Sequence, residues 1–235
     1  MTARAAPSGP PMVRSPRPHL VIFDCDGVLV DSEPISISVL VDLIRAAGHE
    51  ITEAEAYDRF LGKSMASIRA LLGADPGFDV TPLHLKEMRA SLYARFRAEL
   101  QPVPGIQEAL SEMNGARCVA SSSQPERIAL SLEITGLAPF FGDDVFSATM
   151  VENGKPAPDL FLHAARAMAT APADCLVIED SAAGIEAARR AGMRVFAFTG
   201  GAHAGLGTLE KRVRALEPDL IFGNMRELPA LLGNV

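Results

Sequence analysis

Six short apolar runs mark the chain from residue 19 onward, and longer stretches with helical spacing separate them. The runs cover residues 20–23, 118–120, 145–148, 175–178, 193–198 and 220–222. Continuous apolar runs of this length are typical of strands that are buried on both faces, as in a parallel sheet covered by helices. The pattern therefore predicts an α/β fold with a doubly wound, Rossmann-like parallel sheet. Ligands of such sheets bind at the carboxyl ends of the strands.

Glycines follow several of the helical stretches between these runs. Gly115, Gly136 and Gly192 each stand where an amphipathic pattern stops and the next apolar run is about to begin. Glycine at that position commonly supplies the left-handed residue that ends a helix. The alternation of strand, helix and strand therefore predicts right-handed crossovers between parallel strands.

The first two strands are separated by about 95 residues, which is far more than a crossover needs. Apolar residues recur there at helical spacing in two stripes, which we interpret as an inserted helical cap over residues 33–102. The core is then formed by residues 19–32 and 103–235, and Pro102 and Pro104 mark the return to it. Residues 1–18 are rich in proline and arginine and have few large apolar residues to anchor them, so we expect a disordered tail. The stripes comprise Ile35, Val39, Leu40, Leu43, Ile44 and Ala47, and Leu85, Met88, Leu92, Phe96 and Leu100.

Composition narrows the class of protein. The 235 residues are 48% hydrophobic and 22% charged, with a formal net charge of −7. This balance indicates a globular chain without a basic surface for nucleic acid, and no apolar run has the roughly 18 residues of a membrane span. Three single cysteines without metal-type spacing predict buried thiols rather than disulfides. We expect a cytoplasmic protein that is a monomer or weak homodimer and binds neither membrane nor nucleic acid.

Four carboxylates follow two of the predicted strands at the points where the strands end. Asp24 and Asp26 come after the first strand, and Glu179 and Asp180 come after the fourth. In a parallel sheet these groups share one edge, where like charges repel unless a proton or a cation separates them. Oxygen ligands of this kind favour Mg²⁺ over zinc or copper. For Asp180 alone, a helix N-cap is the alternative interpretation.

Two other strand ends have groups that suit an anion. Ser121 ends the second strand, next to a predicted helix N-terminus that suits phosphate. Ser123 and Glu126 have the spacing of a capping box, which predicts a structural role for Ser123. Lys155 lies between a glycine and a proline, in a loop so constrained that we expect a positioned cation facing the acidic edge.

These positions resemble, in chain order, the four motifs of the haloacid dehalogenase superfamily. The motifs are the stretch from Asp24 to Asp31, then Ser121, then Gly154-Lys155-Pro156, and then Glu179-Asp180. The insert is similar to the helical C1-type cap of the superfamily's phosphatase and β-phosphoglucomutase-like branch. The resemblance implies an enzyme, a phosphoric monoester hydrolase that acts on a small phosphorylated sugar, sugar acid or polyol, for example one like 6-phosphogluconate or phosphoglycolate.

The resemblance also implies a role for each matched residue. Asp24 is the nucleophile that forms an aspartyl phosphate, and Asp26 is the general acid and base. The residues implied to bind phosphate are Ser121, Ser122 and Lys155. The implied cofactor is Mg²⁺, held by Asp24, the backbone carbonyl of Asp26 and Asp180, with Glu179 as a nearby or indirect ligand. The implied role of Asp31 is to brace the loop into the cap.

The same motifs leave a mutase as the alternative within the branch. The β-phosphoglucomutase-like members have a cap histidine a few residues after the Asp-Ser pair, and this chain has Ser36 there. Hydrolysis is therefore favoured, while a receiver-type signalling domain or a binding protein without activity is less consistent with the length and the intact motifs. Substrate choice is expected to depend on Lys63 and Arg59 in the cap and on His203 at the rim.

Overall fold

A six-stranded parallel sheet forms the centre of the computed structural model, which describes residues 17–60, 65–73, 81–202 and 209–233. The spatial order of the strands is β3-β2-β1-β4-β5-β6, so β1 lies between β2 and β4. The chain therefore winds outward from β1 in both directions, and the prediction of a doubly wound α/β sheet is confirmed. The strands are β1 (Leu20–Phe23), β2 (Ala116–Ser121), β3 (Val145–Ser147), β4 (Cys175–Glu179), β5 (Arg194–Phe198) and β6 (Leu220–Phe222).

Successive side chains of each strand point to opposite faces of the sheet, where they belong to two separate apolar layers. Val21 and Phe23 of β1 belong to one layer, while Leu20 and Ile22 belong to the other, as the two-residue period of a strand requires. Helices cover both layers, which explains why the strands are apolar throughout rather than alternating. The helices that follow β1 and the insert are α5 (Ile106–Glu112), α6 (Pro125–Ile134), α7 (Asp159–Ala167), α8 (Ala182–Arg190), α9 (Leu209–Ala215) and α10 (Leu228–Gly233), numbered after four helices of the insert.

Two of the three glycine signals end helices as predicted. Gly136 and Gly192 follow α6 and α8 with positive φ angles of 70° and 72°, and their amides bond back to the last helical turn. Gly115 is different, because α5 already ends at Glu112 and Met113 is extended. Gly115 instead occupies a turn with φ 112° immediately before β2.

The insert between β1 and β2 consists of α1 (Glu33–Ala46), α2 (Glu53–Phe60), α3 (Met65–Gly73) and α4 (Pro82–Glu99). These four helices, hereafter the helical insert, have an apolar cluster of their own that includes Leu40, Ile44 and Phe60. Other residues of the two predicted stripes, among them Val39 and Phe96, pack instead with the core layer of β1. The insert is therefore anchored on the core as well as packed within itself. No helix among the described residues is long and apolar enough to cross a membrane.

The two chain segments that connect the insert to the core run side by side. Val30 and Pro102 form an antiparallel bridge, and the Asp31 amide donates to the Gln101 carbonyl at 3.0 Å. The Asp31 carboxylate also accepts a hydrogen bond from the Ala202 amide, at 3.3 Å, in the loop after β5. Because Val30 follows β1 so closely, this double connection places the insert at the carboxyl edge of the sheet.

Candidate active site

The carboxyl ends of β1 and β4 bring three buried carboxylates to one edge of the sheet. Asp24 directly follows β1, Glu179 ends β4 and Asp180 comes next, and all three residues are buried. The Asp24 amide donates to the Ile178 carbonyl at 3.0 Å, which continues the β1–β4 pairing into the site. The structure thus places these three predicted residues together.

Lys155 reaches this cluster from the loop between β3 and α7. Its ammonium donates to Asp24 Oδ1 at 2.5 Å, to Glu179 Oε1 at 2.7 Å and to the Ala120 carbonyl at 3.0 Å. Burial alone would lower the pKa of Lys155, but the charges of Asp24 and Glu179 raise it above its ordinary value. Lys155 is therefore a fixed cation that contacts two carboxylates, and its side chain is only 3% exposed.

Asp24 is in an unfavourable environment for a carboxylate in spite of this lysine. Burial raises the pKa of Asp24 well above its ordinary value, Lys155 opposes that effect, and the charges of Glu179, Asp180 and Asp26 add to it. One lysine thus faces an excess of negative charge. A second cation at this edge would relieve the repulsion.

Both carboxylate oxygens of Glu179 have protein partners. Oε1 accepts from Lys155, and Oε2 accepts from the amide and the hydroxyl of Ser181 at 2.7 and 2.9 Å. Ser181 also caps α8, since its hydroxyl accepts from the Gly184 amide at 3.1 Å. The N-cap of α8 is therefore Ser181 and not Asp180, which rules out the alternative interpretation of Asp180.

The carboxylate of Asp26 has a different set of partners from that of Asp24. Oδ1 accepts from Ser32 at 2.5 Å and from Arg127 Nη2 at 2.6 Å, and Oδ2 accepts from Ser123 at 2.6 Å. Burial raises the pKa of Asp26, but the charge of Arg127 and the hydrogen bonds from Ser123, Ser32 and Arg127 outweigh it and lower the pKa below its ordinary value. Asp26 is thus a stabilised anion.

The prediction of a capping box at Ser123 is wrong. The N-cap of α6 is Gln124, without a side-chain cap bond, and the Ser123 hydroxyl donates to Asp26 instead. The Ser123 carbonyl accepts from the Ser147 hydroxyl at 2.7 Å, so the end of β3 holds this loop. A hydrogen bond from the Ser123 hydroxyl to a charged carboxylate is stronger than the neutral bond it would accept from a backbone amide as a helix cap. This difference explains why Ser123 contacts Asp26.

Arg127 is a site residue that sequence reasoning missed. It lies in the first turn of α6, where a positive charge opposes the helix dipole, and that unfavourable placement was the available signal. Of the predicted phosphate-binding serines, Ser121 is buried at the end of β2 and its hydroxyl accepts from the Ser123 amide at 3.1 Å, whereas Ser122 is exposed.

Of the three predicted specificity residues, the structure describes only Arg59. Arg59 is exposed on α2, with its guanidinium carbon 5.0 Å from the centroid of the neighbouring Phe60 ring. Lys63 and His203 lie outside the described residues.

The donor set at the sheet edge fits a hard divalent cation. Among the described residues, no three carboxylate, histidine or cysteine side chains form a metal site by themselves. The carboxylates of Asp24 and Asp180 lie close enough to repel each other, and carboxylate oxygens are ligands that Mg²⁺ prefers, with water or substrate oxygens completing its coordination. Burial raises the pKa of Asp24 and three neighbouring carboxylates add to that effect, so a cation at this edge would favour the ionised form of Asp24.

The structure defines an α/β protein with a parallel sheet, a helical insert, and a buried aspartate at the end of the central strand whose carboxylate contacts a lysine. The chain matches the family model described as haloacid dehalogenase-like hydrolase over residues 18–192, and it belongs to that family. The resemblance seen in the four sequence motifs is thereby confirmed, and so is the prediction of an enzyme of the hydrolase class.

Sequence similarity to known phosphatases extends over most of the chain. A 6-phosphogluconate phosphatase of Escherichia coli is 31% identical over 188 residues, which are 80% of this chain and 85% of that protein. A phosphorylated carbohydrates phosphatase of Thermotoga maritima is 30% identical over 88% of this chain and 98% of that protein. Among solved structures, a conserved haloacid dehalogenase-like protein of unknown function from Agrobacterium tumefaciens superimposes with a TM-score of 0.80 at 34% identity, covering 92% of this chain and 97% of that one.

Proposed function

We propose that this protein is a Mg²⁺-dependent phosphatase that hydrolyses a small phosphorylated metabolite through an aspartyl phosphate on Asp24. The observation that carries the proposal is the pair of aspartates at the end of β1, each held by its own cation. Asp24 contacts Lys155 at 2.5 Å, and Asp26 contacts Arg127 at 2.6 Å. Two carboxylates in different environments suit two chemical roles, that of a nucleophile and that of an acid–base group.

In the first step, a carboxylate oxygen of Asp24 attacks phosphorus and the bond to the leaving oxygen breaks. Lys155 lies against Asp24, where it neutralises charge on the transferring phosphoryl oxygens. Ser121 and the amides of the loop that includes Ser122 offer further donors at the end of β2, ahead of α6. Because burial and the neighbouring carboxylates raise the pKa of Asp24, a cation at this edge favours the anionic form that attacks phosphorus.

Asp26 completes both steps by moving a proton. It donates a proton to the oxygen of the departing alcohol, and then takes one from the water whose oxygen replaces Asp24 on phosphorus. Its pKa is lowered in the structure. A bound phosphate dianion raises the pKa of a neighbouring carboxyl, which supports protonation of Asp26 before the first step.

The residues that would hold Mg²⁺ are Asp24, Asp180 and, through its backbone carbonyl, Asp26. When bound, the ion neutralises the charge of phosphate and nucleophile together. Glu179 fits a supporting role, because both of its oxygens already contact Lys155 and Ser181. It orients Lys155 and adds negative charge around the ion.

We further propose that the helical insert is a cap domain over residues 33–102 that selects the substrate. The names of the two relatives favour a phosphorylated sugar or sugar acid as the substrate class. Arg59, Lys63 and His203 are the proposed residues that contact the part of the substrate distant from phosphate.

The test is a panel of phosphate esters assayed with Mg²⁺ and after chelation with EDTA. The panel includes 6-phosphogluconate, phosphoglycolate, hexose phosphates, and β-glucose 1-phosphate with its bisphosphate activator. Phosphate release that requires Mg²⁺ and is lost in Asp24→Asn supports the proposal. Undiminished release by Asp24→Asn contradicts the nucleophile assignment, and isomerisation of β-glucose 1-phosphate that exceeds phosphate release favours the mutase alternative.

A further inference from the structure

Arg127 connects the carboxylate of Asp26 to the helical insert. From α6 in the core, its Nη2 donates to Asp26 Oδ1 at 2.6 Å and to the Ser36 hydroxyl of α1 at 3.2 Å. Its guanidinium carbon lies 5.1 Å from the centroid of the Phe96 ring on α4, a cation–π distance. One guanidinium group thus contacts the candidate acid–base residue and two helices of the insert.

Stability alone does not account for this arrangement. The Arg127 side chain is only 16% exposed, and its Nε is buried without a hydrogen-bond partner in the part of the chain that the structure describes. A buried ion pair often contributes no more to stability than apolar side chains of the same volume, and an unpaired buried donor is a further cost. The position of Arg127 in the first turn of α6 is also unfavourable for a cation.

The contacts of Asp26 show what Arg127 adds. Ser32 and Ser123 donate through hydroxyl groups that rotate freely about their bonds, whereas a guanidinium is planar and rigid. Arg127 also provides the single salt bridge of Asp26 among the described residues. Removing it leaves the carboxylate held only by two rotatable hydroxyls, one on each oxygen.

We propose that Arg127 is a positioning residue that sets the orientation of the Asp26 carboxylate and makes it depend on the contact of α1 and α4 with the core. The inference rests on the proposed phosphatase function, in which Asp26 must meet first the leaving oxygen and then a water molecule. A small misorientation of a proton-transfer group slows such steps strongly. Because Ser36 and Phe96 belong to the insert, the position of the insert fixes the position of the guanidinium.

The test compares two substrates that differ in their need for a proton on the leaving group. One is the best alkyl phosphate of the panel, and the other is 2,4-dinitrophenyl phosphate, whose leaving phenolate needs no proton. First-turnover rates are measured by rapid quench for wild type, Arg127→Met, Arg127→Lys and Ser36→Ala. The matched control is Arg95→Met, because Arg95 also bonds to a serine of α1, Ser38 at 2.8 Å, but does not reach Asp26.

We expect Arg127→Met to slow the first turnover of the alkyl ester about 100-fold and that of the aryl ester less than about 5-fold. Arg127→Lys should recover part of the alkyl rate, Ser36→Ala should lower it a few-fold, and Arg95→Met should change neither rate more than about 2-fold. KM should change little, because Arg127 is not proposed to bind phosphate. A purely structural role of Arg127 would lower the rates with both esters equally, so the ratio of the alkyl-ester loss to the aryl-ester loss distinguishes the two roles.

Equal losses with both esters, or no loss with either, would overturn the inference while leaving the phosphatase assignment intact. Thermal unfolding of each variant identifies one that fails to fold, in which case the ratio is read from Arg127→Lys and Ser36→Ala. If wild type releases phosphate from neither ester, the proposed function fails and the inference fails with it.

Discussion

The carboxylates of Asp24 and Asp26 have separate cationic partners, although the two residues are only two positions apart. Lys155 contacts Asp24 at 2.5 Å, while Arg127 contacts Asp26 at 2.6 Å. Burial raises the pKa of Asp24 in spite of Lys155, whereas the charge of Arg127 and the hydrogen bonds to Asp26 outweigh burial and lower the pKa of Asp26. Neutralising one or the other should therefore change stability with opposite sign.

Asp24→Asn should stabilise the metal-free protein at neutral and alkaline pH. The pKa of Asp24 is higher in the folded state than the unfolded value of about 3.9. The protonated group therefore contributes to the free energy of unfolding at low pH, and this contribution is lost as the pH rises through the folded-state pKa. Removing the charge removes that loss. We expect the Tm of Asp24→Asn in EDTA to exceed that of wild type by at least about 2 °C at pH 8.

The difference in Tm between this variant and wild type should shrink as the pH falls toward 4. Thermal unfolding in EDTA at pH 4, 6 and 8 measures it. A variant that is less stable than wild type at every pH would show that the contact with Lys155 outweighs the repulsion around Asp24.

Asp26→Asn should have the opposite effect, because it leaves the buried guanidinium of Arg127 without a charged partner. Breaking such a pair costs about 3 kcal/mol, which lowers Tm by about 6 to 12 °C in a chain of this size. Because the pKa of Asp26 is lowered in the folded state, its ionised form stabilises the protein above the unfolded pKa, and this stabilisation is lost as the pH falls through the folded-state pKa. The loss of stability in Asp26→Asn should therefore be largest near pH 7 and smaller near pH 3. Unfolding curves for both proteins at the two pH values test this expectation, and equal Tm values at pH 7 would contradict it.

The positions that sequence reasoning predicted best are those set by short-range pattern. The apolar runs identify the six strands because strands buried on both faces contain almost no polar residue, and Asp24 and Lys155 stand at strand ends or in constrained loops. The contacts of Ser123 and Arg127 with Asp26 were not predicted because Asp26 lies 97 and 101 residues away from them along the chain. Rules for helix capping consider only neighbouring residues, so they cannot identify an acceptor that comes close only when the sheet forms.

Divalent cation should stabilise the wild-type protein through the oxygen set at the sheet edge. A ligand that binds only the folded state adds about 2.7 kcal/mol at a concentration of 100 times its Kd, which raises Tm by about 5 to 11 °C. Because the pKa of Asp24 is raised, protons compete with the metal, and the shift should grow as pH increases. Differential scanning fluorimetry with Mg²⁺ from pH 5.5 to 8 measures the effect.

Asp180→Asn is the matched variant for that measurement, since Asp180 is a proposed ligand at the same edge. It should lose most of the Mg²⁺-dependent shift. A shift that is identical in wild type and variant would place the metal elsewhere on the chain.

Gly184 is a position where alanine should harm both stability and activity. A Cβ added at Gly184 would overlap Glu179 Oε1, so the Glu179 carboxylate fills the space that a methyl group needs. Alanine in a helix is ordinarily about 1 kcal/mol more favourable than glycine, but here it must displace a group that holds Lys155 at 2.7 Å. We expect Gly184→Ala to lower Tm by several degrees and kcat by at least about 10-fold, since a misplaced catalytic group costs far more in rate than in binding.

Gly73→Ala is the control, because Gly73 ends α3 in the insert and a Cβ added there would have no neighbour within 4 Å. It should leave kcat unchanged and Tm equal or slightly higher. Restoring space at Gly184 by shortening the carboxylate, in the double variant Gly184→Ala with Glu179→Asp, should recover part of the lost stability. If Gly184→Ala alone keeps both Tm and kcat, the packing of Glu179 against α8 does not position Lys155, and the lysine must be held by Asp24 and the Ala120 carbonyl alone.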